Sequence, residues 1–61
     1  MANLTSKELT ALEDQLGFEH TCVCKYQAAA QETNETALRN CFNQYASQHQ
    51  QIFNNLLGFL R

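Results

Sequence analysis

Few residues in this 61-residue chain can do chemistry: two histidines, three cysteines and six carboxylates. Glu19 and His49 stand out because both fall where the surrounding pattern calls for an apolar side chain. A carboxylate inside an apolar seam is costly unless paired, and an imidazole opposite it supplies the pair. Pairing favours the imidazolium form, while burial opposes it. Three readings stay open. The pair is a hydrogen-bonded polar layer that fixes register and oligomeric state. Or it is a metal site, since carboxylate oxygen and imidazole nitrogen are ordinary ligands of zinc and iron. Or the helices are rotated enough to leave both side chains half wet. His20 and Cys24, four residues apart, share a helix face and offer one half of a zinc site, with two further ligands to come from another chain. Read plainly, they are two surface side chains.

The three cysteines are odd in number, and without an export signal free thiols are the default. Cys22 and Cys24 point about 200° apart on a helix, so they form no redox pair. Cys41 lies level with Gln27, more than a turn from Cys22, and no internal disulfide is expected. Cys22, beside the seam, reads as a small apolar filler. Cys24, on the outer side, is the thiol placed to cross-link molecules. Tyr26 and Tyr45 read as seam aromatics whose hydroxyls find local partners. No serine–histidine–acid set, glycine-rich phosphate loop or acid pair is recognisable.

The elements that position these groups follow from spacing. Leu9, Leu12, Leu16, Glu19, Val23, Tyr26 and Ala30 recur at intervals of three and four, as do Leu38, Phe42, Tyr45, His49, Ile52, Leu56 and Phe59. Such intervals place side chains on one stripe of an α-helix. Facing pairs have residue numbers that add to 68, from Ala30 with Leu38 to Leu9 with Phe59, with Glu19 opposite His49 in the middle. The sequence therefore predicts one all-α domain over residues 1–61: a helix over about 6–32, a turn at about 33–35 and a second helix over about 35–59. Thr5-Ser6-Lys7-Glu8 fits the S/T-x-x-E capping box. Asn34 is the expected cap of the second helix, and Arg61 suits the negative end of its dipole. Gly17 interrupts the first helix off the seam, marking a close approach by another chain or a tolerated flaw.

Ala46, Phe53 and Leu60 flank the stripe on the second helix, and Cys22 and Ala29 flank it on the first. Flanking apolar rows mean that each helix touches more than one neighbour. A chain this short, with one seam and no enclosed core, calls for a partner. The expected architecture is thus an antiparallel helical hairpin that homodimerises into a four-helix bundle, with further association open. Leu9, Leu12, Leu16, Val23, Tyr26, Phe42, Tyr45, Ile52, Phe53, Leu56 and Phe59 make its core and dimer seam. The amide-rich outer face of the second helix, Asn40 to Asn55, reads as solvated, and its low charge opposes little repulsion to close packing. Net charge is −2 and the four basic residues are scattered, which argues against nucleic-acid binding. No apolar run approaches a membrane span, and the N-terminus lacks the form of a secretion signal, so cytoplasmic synthesis is expected.

The stretch Leu9–Leu60 resembles the small spore-coat proteins of the coat F type, relatives of the ferritin-like bundles. Leu12-Glu13-Asp14-Gln15-Leu16, Glu19, Lys25-Tyr26-Gln27, Leu38-Arg39 and His49-Gln50-Gln51 carry the resemblance. It implies a non-enzymatic, self-associating structural protein of the spore coat, with other coat proteins as partners and no cofactor. The ferritin-like di-iron motif pairs a glutamate with Glu-x-x-His on the next helix. Glu19 fits the first, but His49 and Ile52 stand at the second, and isoleucine binds no metal. Two other function classes are a metal-binding relic using Glu19 and His49, and an adaptor docking a different helical partner.

Overall fold

The structure, a computed structural model, describes residues 3–60. Met1, Ala2 and Arg61, with the dipole role expected of the last, lie outside the described residues. The described chain is all-helical. Helix α1 spans Ser6–Glu32 and helix α2 spans Thr36–Leu57, with a closing 3₁₀ turn at Gly58–Leu60. The two helices run antiparallel as a rod of 46 × 15 × 11 Å.

Local chemistry fixes both ends of α1. Thr5 caps it: the Glu8 N–H donates to Thr5 Oγ1 at 3.1 Å, and the Thr5 N–H donates to Glu8 Oε1 at 3.0 Å. Two orphan donors are satisfied reciprocally. The Thr5 backbone N–H, as the larger cause, and its hydroxyl hold the Glu8 carboxyl below its ordinary pKa. At the other end the chain leaves the helix through Thr33, in extended conformation at φ −84° and ψ 142°. No left-handed residue closes this end. Arg39, in the first turn of α2, does so instead: its Nε donates to the Ala30 carbonyl at 3.2 Å and its Nη2 to the Thr33 carbonyl at 2.8 Å. A guanidinium has donors enough to take both carbonyls at once, and it clasps the turn by joining the end of one helix to the start of the next.

The cap of α2 is Glu35, not Asn34. The Glu35 N–H donates to Thr33 Oγ1 at 3.2 Å, which draws the turn tight and leaves Glu35 extended at the cap position. Its carboxylate then accepts the Ala37 N–H at 3.3 Å. A carboxylate at this place also meets the positive end of the helix dipole.

The interior is thin. Among the described residues Leu16, Glu19, Val23, Ala30 and Ala46 are buried, and no large side chain is fully enclosed. On α2 the residue against α1 is Ala46, 4 % exposed, whereas Tyr45 is 42 % exposed. Leu9, Ile52 and Phe59, set on the seam by spacing, are exposed as well. The reason lies in two apolar rows flanking Phe42, His49 and Leu56. One is Ala46-Phe53-Leu60 and the other Leu38-Tyr45-Ile52-Phe59. Interval counting cannot say which row turns inward. The methyl of Ala46 lets the helices approach closely, and the bulkier row is rotated outward.

A β-carbon at Gly17 would meet nothing within 4 Å. Gly17→Ala should therefore raise stability by about 0.5–1 kcal/mol, the helix-propensity difference, in urea unfolding. A loss instead would reveal close approach by a second chain there. Arg39→Ala should cost about 1 kcal/mol in the same assay, since it frees two carbonyls at a partly solvated turn.

Candidate functional site

Midway along the rod, α1 brings Gln15, Glu19 and Tyr26 to one flank of the seam, and α2 brings Phe42, Tyr45 and His49 to meet them. His49 Nδ1 lies 2.5 Å from Glu19 Oε1. Gln15 Nε2 donates to the other carboxylate oxygen at 2.7 Å. Glu19 is 4 % exposed, while His49 keeps part of its ring at the surface. The hydrogen bond from His49, ahead of every other cause, holds the Glu19 carboxyl below its ordinary value, and burial works against it. An ionised carboxylate only accepts, so Nδ1 of His49 carries the hydrogen.

Tyr26 roofs the pair. Its ring stacks on His49 with centroids 5.7 Å apart and planes 18° apart. It also stacks on Phe42 at 6.0 Å and meets the edge of Tyr45 at 5.5 Å. One side chain meets three residues over about two turns of the facing helix because helical side chains lean toward their own N-terminus. Tyr26 thus leans toward the level of Glu19, away from the turn. Counting intervals pairs it with Phe42 alone; this lean is what adds His49.

Tyr45 is not shielded in the seam. Its hydroxyl is pushed above the ordinary tyrosine pKa by the neighbouring Cys41 thiol first, and further by partial burial and by Tyr26. All three cysteines are free, Cys24 exposed and Cys22 and Cys41 half-buried. On the opposite flank His20 packs tilted against Phe53, with centroids 6.1 Å apart, and its Nε2 lies 3.7 Å from Cys24 Sγ. The remaining seam residues divide by depth. Leu16 and Val23 are buried, Leu12, Phe53 and Leu56 half-buried. Interval counting assigns no interaction to Gln15, which stands four residues before Glu19 on the same helix face, or to Arg39, whose role depends on where the bend places its guanidinium.

Among the described residues, no three of histidine, cysteine, aspartate and glutamate gather as a set for one metal ion. No helix of the described chain is long and apolar enough to cross a membrane. The Glu19–His49 pair joins one level of α1 to the facing level of α2.

A carboxyl with a lowered folded pKa adds stability that is present above its ordinary value of 4.5 and lost as pH falls through the lowered one. Acid melts should therefore show a drop in stability below pH 4.5, and Glu19→Gln should flatten it. Replacing His49 alone by Leu leaves a buried carboxylate without its partner and should lower the melting temperature. Replacing Glu19 and His49 together by Leu should melt above that single variant, at or beyond the wild type. A double variant that fails to fold would give the pair an essential role in folding.

Comparison with protein-family models, with curated proteins and with solved structures returned no match to this chain, so its functional reading rests on its own residues and their geometry.

Proposed function

We propose that this chain is a non-catalytic structural protein, similar to the small spore-coat components of the coat F type, that works by self-association into an antiparallel four-helix bundle. One observation carries the reading: a row of large apolar side chains left in solvent. Leu38, Tyr45, Ile52 and Phe59 follow one another at intervals of seven along α2, and all are exposed, between 42 % and 53 %. At about 100° per residue, Phe18, Cys22 and Ala29 of α1 fall on the same side of the hairpin. The other side is polar, with Gln27, Asn43, Ser47, Gln50 and Asn54 lining a shallow groove.

Area supports a partner. The chain exposes 4656 Å² for a mass of 7.0 kDa. A compact monomer of that mass exposes roughly 4,000 Å². The excess, roughly 600 Å², approaches the ~800 Å² that each partner contributes to a standard stable interface. A second copy is favoured over an unrelated helix because the row complements itself. Set antiparallel about a two-fold axis, Leu38 lies level with Phe59 of the partner subunit, and Tyr45 with Ile52 of the partner subunit. A two-fold interface needs this self-complementarity. The midpoint of the row is level with Glu19 and His49, so in such a dimer both polar pairs share the layer at the axis.

Sedimentation or light scattering should find a dimer in the wild type. Ile52→Glu, which sets a charge in the middle of the row, should shift it toward monomer by tenfold or more in dissociation constant, about 1.4 kcal/mol. A wild-type chain that stays monomeric at high concentration, and orders its helices only on adding another protein, would favour the adaptor reading. Zinc, iron or manganese in the purified protein that disappears in Glu19→Ala would favour the metal-binding reading.

A further inference from the structure

The flank that faces away from the apolar row holds the second set of chemically capable side chains, His20 and Cys24. We propose that they form a surface binding site for Zn²⁺ or a cation of its class, held by Nε2 and Sγ. Both side chains are exposed, and they stand one helical turn apart on α1. Their donor atoms are 3.7 Å from one another. Bonds of about 2.3 Å from zinc to sulfur and about 2.0 Å to nitrogen, at a tetrahedral angle, place the two donors about 3.5 Å apart. The span is thus already that of a chelate, before any metal enters.

The imidazole is also held in place. Its ring packs tilted at 50° against Phe53 of α2, with centroids 6.1 Å apart, which limits its swing. Thiolate and imidazole together select zinc-class cations over magnesium or calcium, which take oxygen. On binding, the Cys24 thiol gives its proton to solvent, a metal–sulfur bond forms, the imidazole binds neutral through Nε2, and the hydrated ion sheds water as its shell becomes tetrahedral. No oxidant or reductant takes part. The two remaining positions are filled by water or by the same pair from another hairpin. The site sits on the polar side of the rod, so it does not rest on the dimer reading.

Co²⁺ is the probe, because its thiolate complexes absorb in the near ultraviolet. It is titrated into the reduced full chain without oxygen, with circular dichroism confirming that each variant is helical. A thiolate–cobalt band is expected in the wild type and in the Cys22→Ser/Cys41→Ser double variant, and Zn²⁺ should displace it. Cys24→Ser should abolish the band. His20→Gln should weaken binding at least about tenfold, the lower range for losing even an indirect supporting partner of a metal. One cobalt per chain marks water completing the shell, and one per two chains marks a shared site; either stoichiometry supports the assignment. No band in the wild type, a band that survives Cys24→Ser, or one whose affinity is unmoved by His20→Gln overturns it. Repeating the titration on Ile52→Glu separates the two readings, since this site should bind whether or not the chain is a dimer.

Discussion

Two helices touch along a line, and a line encloses no volume. Everything in this protein answers to that constraint. Closing α1 on α2 shelters Leu16, Val23, Ala30 and Ala46 and leaves other large apolar side chains half in water. Folding must offset roughly 1–2 kcal/mol of backbone entropy per ordered residue, and a single seam with so little fully buried surface supplies a small part of that. The local devices at the ends, the Thr5–Glu8 box and the Arg39 clasp, set where the helices start and bend. They do not replace a core. A second hairpin lying on the apolar flank would convert the line into an enclosed layer, the same step by which four-helix bundles acquire an interior.

Against that background the polar pair in the seam has a physical use. Burying Glu19 removes a position where an apolar side chain would add transfer free energy. In the proposed dimer the hydrogen-bonded pair would offer discrimination in exchange. The rows on α2 repeat every seven residues, so sliding one helix past the other by a heptad would again set apolar against apolar. Such a slip would also move Glu19 away from His49 and set it level with Leu56 or Phe42, a buried charge without its partner. The three-residue turn already forbids a large slip within one chain. The register left to choose is that between chains, and in the proposed dimer the two pairs meet at the axis, where a slip would separate them.

The hairpin, its bend near Asn34 and the levels of its facing residues were legible in the sequence because they follow from helical periodicity alone. Rotation about the helix axis was not. Tyr45 and Ala46 differ by about 100° on the wheel, and both suit a seam by hydrophobicity; size decided between them, through how closely the helices can approach. Asn34 and Glu35 are both capable caps, and the Thr33 hydroxyl decided between those by drawing in the Glu35 N–H. Arg39 depends on a juxtaposition that exists only after the bend forms. The Glu19–His49 facing was readable from their level, whereas the Tyr26 roof over it required knowing which way a helical side chain leans.

The rod has two unlike flanks. One flank carries the exposed apolar row, and the other is lined by amides with His20 and Cys24 beside them. In the proposed dimer this sorting has a use, because each flank would meet a different neighbour. Apolar flanks joined about the two-fold axis would leave amide flanks outward on both faces of a four-helix unit, with little like-charge repulsion between units. Association would then proceed in two stages of different strength, the first driven by apolar burial and the second by short-range contacts between neutral polar side chains. That ordering follows from the exposed heptad row on α2, and a chain whose Leu38, Tyr45, Ile52 and Phe59 were turned inward would lack its first stage.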